Sequence, residues 1–445
     1  MFDALFTTTT EYKKLSHALS GKGACALFGL PASGRAQVYA ALCRQLDKPL
    51  CIVTPGEAEA TRFAADLNTL GIPAAVFPAR DYVLRPIEGT AREYEYRRLA
   101  VLGELVGGRL RAVAVPAEAL TQFTTPKEDF CANTRTLHAG DTLLRDDLLA
   151  ALFGAGYTRR AQVDGPGQFS VRGDIVDIFA PDQKMPVRME FWGDEIDTLH
   201  TFDLTTQRRE DAIDKFYLSP AREVLFGKPA DAAEQLRAFL AKQRGKKKTA
   251  MADCMAADLD LLDGGAVPVN MDKYLAVRYP HPATVLDYFD DPILVAEEPA
   301  SIREADRATA YRRGEELKSL ILDGVLCAGL DNLYADPSYL WSKTGHYRTI
   351  CAENFARSMP DQPLKDIINA PAHTLPAWNG EVAGLLEDLK PLCDAGYTVT
   401  LLAGTDRAAA GLARDLRDKG ILVTTDAAAA PAAGLVQVCL LYTSD

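Results

Sequence analysis

The sequence holds no C-x-x-C pair. Its nine cysteines stand apart at 25, 43, 51, 131, 254, 327, 351, 393 and 439. The six histidines are equally dispersed, and no metal-ligand spacing appears. A zinc site and a disulfide framework are therefore not expected; an odd, scattered set of thiols fits a reduced, cytoplasmic protein. No apolar run reaches the roughly 18 residues of a membrane span, so no membrane association is expected. The opening MFDALFTTTTEYKKLSHAL lacks the basic stretch and apolar core of an export signal. Positive charge is also short. Against 61 acidic residues stand 49 Lys and Arg, a net charge of −12. That balance argues against a chain that coats nucleic acid non-specifically. No Ser/His/Asp or Cys/His arrangement is legible.

What is present is the composition of an ordinary soluble protein, 48% hydrophobic and 25% charged over 445 residues. Such a length carries about three domains. Residues 1–125 alternate apolar runs (ACALFGL, PLCIVTP, AAVFP, RAVAVP) with helical stretches at 35–46, 57–70 and 92–106, the pattern of a parallel sheet with helices on its faces. Residues 126–212 change texture: after a helix near 141–153 come strand-rich stretches joined at Gly and Pro, a small α+β module. Residues 213–340 are mainly helical with one buried strand, PILVAEEPA; RGKKKTA (244–250) reads as a basic surface turn and RREDAIDKF as a salt-bridged helix start. Residues 345–432 form another αβ pattern, with a helix at 380–394. Residues 433–445 close no element, as expected of a truncated end. The fold class is thus α/β: a parallel-sheet domain with an inserted α+β module and a further small α/β domain.

The stretch FGLPASGRAQV has the spacing of a phosphate-binding turn, G-x-x-x-x-G-K-[ST], between a strand and a helix. Gly29 and Gly34 are in place. Arg35 stands where lysine is needed, and its planar fork does not replace a compact ammonium. Ala36 stands where Ser or Thr would ligate magnesium. The best candidate for the acidic partner of such a site is Glu297-Glu298, with Ala296 where the first acid of an Asp-Glu pair would fall. A phosphate-site scaffold that has lost its ATPase chemistry is expected.

In PVRMEFW, alternation puts Val187, Met189 and Phe191 on one face of a strand and Arg188, Glu190 and Trp192 on the other. In QFSVRG, Phe169 and Val171 turn inward, Ser170 and Arg172 outward. Two arginines and a tryptophan on one solvent face are residue types enriched in binding hot spots.

The stretches GPGQFSVRGDIVDIFAP and VRMEFWGDEIDTLHTFDLTTQR together resemble the UvrB-homology module of the bacterial transcription-repair coupling factors. Weaker similarity on both sides, as in FPARDYVLRP, DKYLAVRYPHPATVLDYFDDPILVAEEPA and WNGEVAGLLEDLKPLCDAGYTVTLLAGTDRAAAGLARDL, extends it to about residue 425. The resemblance implies a RecA/UvrB-like fold, with 1–125 and 213–340 as the two parts of a UvrB-like domain. It implies that the module binds UvrA, the family's contact positions falling on Arg172, Arg188 and Trp192, where the family usually has Phe at 192. It implies that RNA polymerase and double-stranded DNA are contacted through C-terminal domains absent here, and that ATP and Mg²⁺ serve the absent motor. In the full-length protein a C-terminal domain would mask the UvrA-binding face. The chain itself is expected to be no enzyme and to need no cofactor. The alternatives are a UvrB-like nucleotide-binding repair subunit, a hydrolase using Arg35 with Glu297 or Glu298, and a purely structural autoinhibitory module.

Overall fold

The computed structural model describes residues 7–86, 92–357, 359, 362–372, 382–426, 429 and 432–440. Four strands open the chain: β1 (Gly23–Phe28), β2 (Leu50–Thr54), β3 (Ala74–Val76) and β4 (Ala112–Pro116). Helices Ala32–Leu46, Glu57–Thr69 and Glu93–Val106 connect them. Strands β2 and β4 are buried along their whole length, which is why they read as unbroken apolar runs rather than alternating ones.

The chain then leaves this sheet for the module. Strand β5 (Arg135–His138) and helix Arg145–Gly154 precede β6 (Thr158–Arg159), β7 (Gln168–Arg172), β8 (Ile175–Phe179), β9 (Val187–Trp192), β10 (Glu195–Phe202), β11 (Arg209–Ala212) and β12 (Lys215–Leu218). Six strands form one sheet in the order β11-β10-β9-β8-β7-β6, antiparallel except at β6–β7. Its core gathers Leu148, Phe169, Val176, Ile178, Met189, Phe191 and Leu199 against the helix. Each such aliphatic or aromatic side chain contributes about 1.5–3 kcal/mol by leaving water.

The module reaches beyond the expected residue 212. Strand β12 pairs antiparallel with β5, and the same core takes in Phe216, Leu218 and Ala221. RREDAIDKF is therefore two strand segments, β11 and β12, and not a helix start: Phe216 is buried between less buried neighbours, the period of a strand edge. The basic stretch after Arg244 is likewise no turn. It opens the helix Gly245–Asp263, whose buried Met251, Met255 and Leu262 hold it to the helical segment's own core.

The chain returns to the first sheet with β13 (Ile293–Glu297), β14 (Arg348–Glu353) and β15 (Leu364–Asn369), giving seven parallel strands in the order β15-β1-β14-β13-β2-β4-β3. The expected third domain from residue 345 is corrected accordingly. Strands β14 and β15 flank β1, and the long separation in sequence hid the pairing. A separate small sheet, β16 (Val399–Ala403), β17 (Val423–Thr424) and β18 (Val436–Leu440), runs in the order β16-β18-β17 under helices Val382–Asp394 and Asp406–Asp418. Thr405 caps the second of these by accepting from the Ala408 amide at 3.2 Å. The expectation that residues 433–445 close no element is corrected, since Val436–Leu440 pairs on both sides as the middle strand of this sheet; residues 441–445, and 380 and 381 of the expected helix, lie outside the described residues. No described helix is long and apolar enough to cross a membrane.

Candidate docking face and phosphate turn

Gly29 follows β1 at φ +91°, a conformation that favours glycine. A Cβ there would meet the Ala370 carbonyl oxygen at 2.8 Å, because the segment after β15 crosses the turn. The Gly29 carbonyl is already engaged by the Ala372 amide, at 3.0 Å. The helix begins at Ala32 after Pro31, which has no amide hydrogen to offer a phosphate. Gly34 lies within its first turn. Ala36 is fully buried in the core and brings no oxygen.

Arg35 is buried, and its guanidinium turns toward the end of β13. Nη2 lies 2.9 Å from Glu297 Oε2 and 3.0 Å from Glu298 Oε1. The sequence pairing of Arg35 with Glu297 and Glu298 is thus met in space as an ion pair. Tyr39, one helical turn on from Arg35, donates to Glu297 Oε1 at 2.5 Å. Sequence reading missed Tyr39; its i+4 relation to Arg35 was the available signal. Glu298, just past the end of central strand β13, sits at φ +53°, a strained backbone.

Burial pushes the Glu297 carboxyl up to about 7. The Arg35 charge and the Tyr39 hydrogen bond pull the other way, while Glu298 adds to the rise. Arg62 and Glu353 complete the charged surroundings. A carboxyl whose pKa is higher folded than unfolded favours folding at low pH. Its contribution is complete below the ordinary glutamate value and is lost as pH rises through about 7. The melting temperature of the chain, compared with that of Glu297→Gln, should therefore fall between about pH 5 and about pH 8. A constant difference between the two chains would show that Glu297 does not titrate in that window.

On the module, the face predicted to be solvent is only partly so. Ser170, Asp177 and Arg188 line up across β7, β8 and β9, and His200 of β10 lies opposite Arg188. Ser170 and Asp177 are each 1% exposed. The expectation that Ser170 points to solvent is corrected. A second small core of Val163, Phe179 and Phe202, backed by Leu204, covers this end of the sheet.

The two arginines share one buried carboxylate. Arg188 donates from Nε to Asp177 Oδ1 at 2.7 Å and from Nη2 to Oδ2 at 2.9 Å. Its Nη1 donates to the Gln207 carbonyl at 3.2 Å, and the guanidinium stacks 4.7 Å over the Phe202 ring. Arg188 is therefore fully engaged, its side chain 14% exposed. Arg172 touches Asp177 Oδ2 only at 3.5 Å and leaves 52% of its side chain exposed. Trp192, next to the β9–β10 turn, is 82% exposed. Glu190, between Arg188 and Trp192 on this face, pairs with Arg209 of β11. The three residues singled out in sequence do share one face, but they divide by role. Arg172 and Trp192 face solvent, while Arg188 is braced from below. Asp177, which does the bracing, was missed. The signal was an acidic residue in phase with Ile175 and Phe179 of β8.

Among the described residues no group of three or more His, Cys, Asp or Glu side chains could hold a metal ion. A cavity of about 710 Å³ lies between the module and the helical segment, lined in part by Tyr96, Arg159, Arg160, Arg222 and Val269.

The comparisons bear on the module first. Residues 136–224 match the UvrB interaction domain family. The lower bound falls within β5 and the upper bound lies beyond β12, so the match covers the observed module. The chain is 25% identical over 406 residues to a transcription-repair-coupling factor of Bacillus subtilis, covering 89% of this chain and 34% of that protein. It is 35% identical over 208 residues to the one from Myxococcus xanthus, covering 44% and 17%. With the Mycobacterium bovis protein it shares 34% over 257 residues, covering 56% and 20%. The chain spans about a third or less of the length of these curated relatives. It carries a UvrB interaction domain at residues 136–224 and is, over most of its length, a homologue of the transcription-repair-coupling factors.

Proposed function

We propose that this chain docks UvrA through the exposed face of β7, β8 and β9, and that it recruits and scaffolds rather than catalyses. The observation that carries the reading is Trp192 and Arg172 standing exposed on the face whose floor is fixed by the Arg188–Asp177 pair. A large aromatic beside an arginine, held on strands, is the make-up of an interface anchor. Two-point bracing of Arg188 removes the ordering cost that a free arginine would meet on binding. Acidic groups on UvrA would meet Arg172 directly and the edge of Arg188 second.

The role in the longer protein follows from this docking. UvrA would be brought to RNA polymerase stalled on double-stranded DNA, with ATP and Mg²⁺ used by a motor outside residues 1–445. The phosphate turn of this chain would take no part in that chemistry, since Arg35 is committed and Ala36 has no ligand for magnesium.

Calorimetric titration of UvrA into the intact chain tests the reading. The chain should bind, and Arg172→Ala should weaken binding about tenfold, the loss of one charge-assisted contact. Absence of binding by the wild-type chain, with circular dichroism showing it folded, would overturn the proposal.

A further inference from the structure

Where β1, β13 and β14 end side by side, polar groups from distant parts of the chain converge in one buried cluster. Arg35, Glu297 and Glu353 are each 3% exposed or less. Besides its contacts to Glu297 and Glu298, the Arg35 guanidinium donates from Nη1 to the Leu30 carbonyl at 3.3 Å and to Asn354 Oδ1 at 3.5 Å. Glu298 Oε1 also accepts from the Asn354 amide at 3.2 Å, and Glu353 Oε1 from the Ala300 amide at 3.2 Å. Arg35 thereby reaches its own turn, the end of β13 and the residue after β14. In a phosphate-binding turn of the same spacing, the acidic residues at the strand ends need a cation, and a metal bound with the nucleotide supplies it.

We propose that Arg35 is the internal counter-ion of this site, taking the place of a metal–nucleotide complex and holding the phosphate turn to the ends of β13 and β14 without any ligand. Burying a carboxylate without a positive partner is costly, and the guanidinium offsets part of that cost for both glutamates at once. The arrangement also excludes nucleotide on electrostatic grounds. Arg35 is the arginine in direct contact with Glu297 and Glu298, with Arg62 and Arg357 farther off, so a polyphosphate entering the turn would meet carboxylates and an arginine already engaged. The fit is imperfect in a way that agrees with replacement. Arg35 Nε, Glu297 Oε2 and Glu353 Oε2 are buried without a hydrogen-bond partner, and the Arg35–Glu297 contact at 2.9 Å is an ion pair without hydrogen-bond alignment. A guanidinium standing in for a metal complex of different shape would leave such groups unmatched.

The test is a double-mutant cycle on the full chain, read by thermal unfolding with and without millimolar MgATP. At about pH 8, where Glu297 is ionised, Arg35→Gln should lower the melting temperature by on the order of 5 °C or more, because Glu297 and Glu298 lose the cation in direct contact with them. Adding Glu297→Gln to that chain should restore at least half of the loss, since the uncompensated buried charge goes with it. The wild-type chain should show no shift with MgATP. Additive losses in the double variant would overturn the proposal. So would a MgATP-induced stabilisation of the wild type that disappears in Arg35→Gln, because Arg35 would then be binding phosphate. If Arg35→Gln fails to fold, a folded double variant supports the counter-ion role and an unfolded one overturns it.

Discussion

Replacing Arg98 by methionine should cost about 3–5 kcal/mol of stability. Arg98 is among the largest side chains that the fold buries completely. It donates from Nε to Glu223 Oε1 at 2.6 Å and from Nη2 to Oε2 at 3.2 Å, while Nη1 reaches Gln122 Oε1 at 2.8 Å and the Pro78 carbonyl at 3.2 Å. Its guanidinium lies 4.2 Å over the Phe77 ring. Methionine would keep much of the volume and lose the charge, leaving Glu223 buried at 0% exposure with only the Arg80 Nε contact at 3.4 Å. Arg80 is itself claimed by Asp272 through two bonds of 2.7 and 3.1 Å. Urea unfolding of wild type and Arg98→Met measures the loss, and Glu223→Gln in the same chain should return part of it by removing the stranded charge. A loss below about 1 kcal/mol would mean that the network is not what holds these segments together. The consequence for function is positional. Glu223 follows the last strand of the module, Arg80 and Arg98 belong to the first domain, and Asp272 belongs to the helical segment. The cluster therefore sets the module on its support.

The second large effect concerns docking. Trp192→Ala should weaken UvrA binding by about 2 kcal/mol or more, roughly a thirtyfold rise in Kd, with melting of the chain unchanged. The ring is almost wholly in solvent before binding, so its removal leaves no cavity in the fold and its effect falls on the complex. Arg188→Ala is expected to behave differently. It strips Asp177 of both short charge-assisted bonds and leaves that carboxylate buried with the distant Arg172 contact alone. Loss of binding there would come with loss of module stability, visible in the melt. Unchanged affinity in Trp192→Ala would remove the aromatic from the docking face and leave Arg172 as its centre.

Much of the candidate docking face is legible in the residue order alone. Period-two alternation in VRMEFW places Val187, Met189 and Phe191 in the core, and all three are buried there. Alternation in QFSVRG places Arg172 outside, where it is. It fails at Ser170 because alternation names a side of the sheet and not what covers that side. Here the Phe202 cluster and the Gln207 loop cover part of it, an outcome of how residues 163 and 202–207 fold back. RREDAIDKF misleads because its charges suit a solvated helix as well as an edge strand, and only pairing with β5 and β10 settles the choice.

By itself the sequence determined the class of the fold, through apolar runs alternating with amphipathic stretches. It also determined that Ala36, with no hydroxyl, stands where the motif has Ser or Thr, because a missing atom needs no geometry to be missed. Tertiary structure alone decided that β14 and β15 flank β1, since backbone pairing across more than 300 residues leaves no local trace. It alone decided which charges cancel: Arg35 with Glu297 and Glu298, Arg188 with Asp177, Arg98 with Glu223. The physical reason is the same in each case. A buried charge must find its opposite within a few ångströms, and the partner that meets this need is fixed by how the chain returns through space.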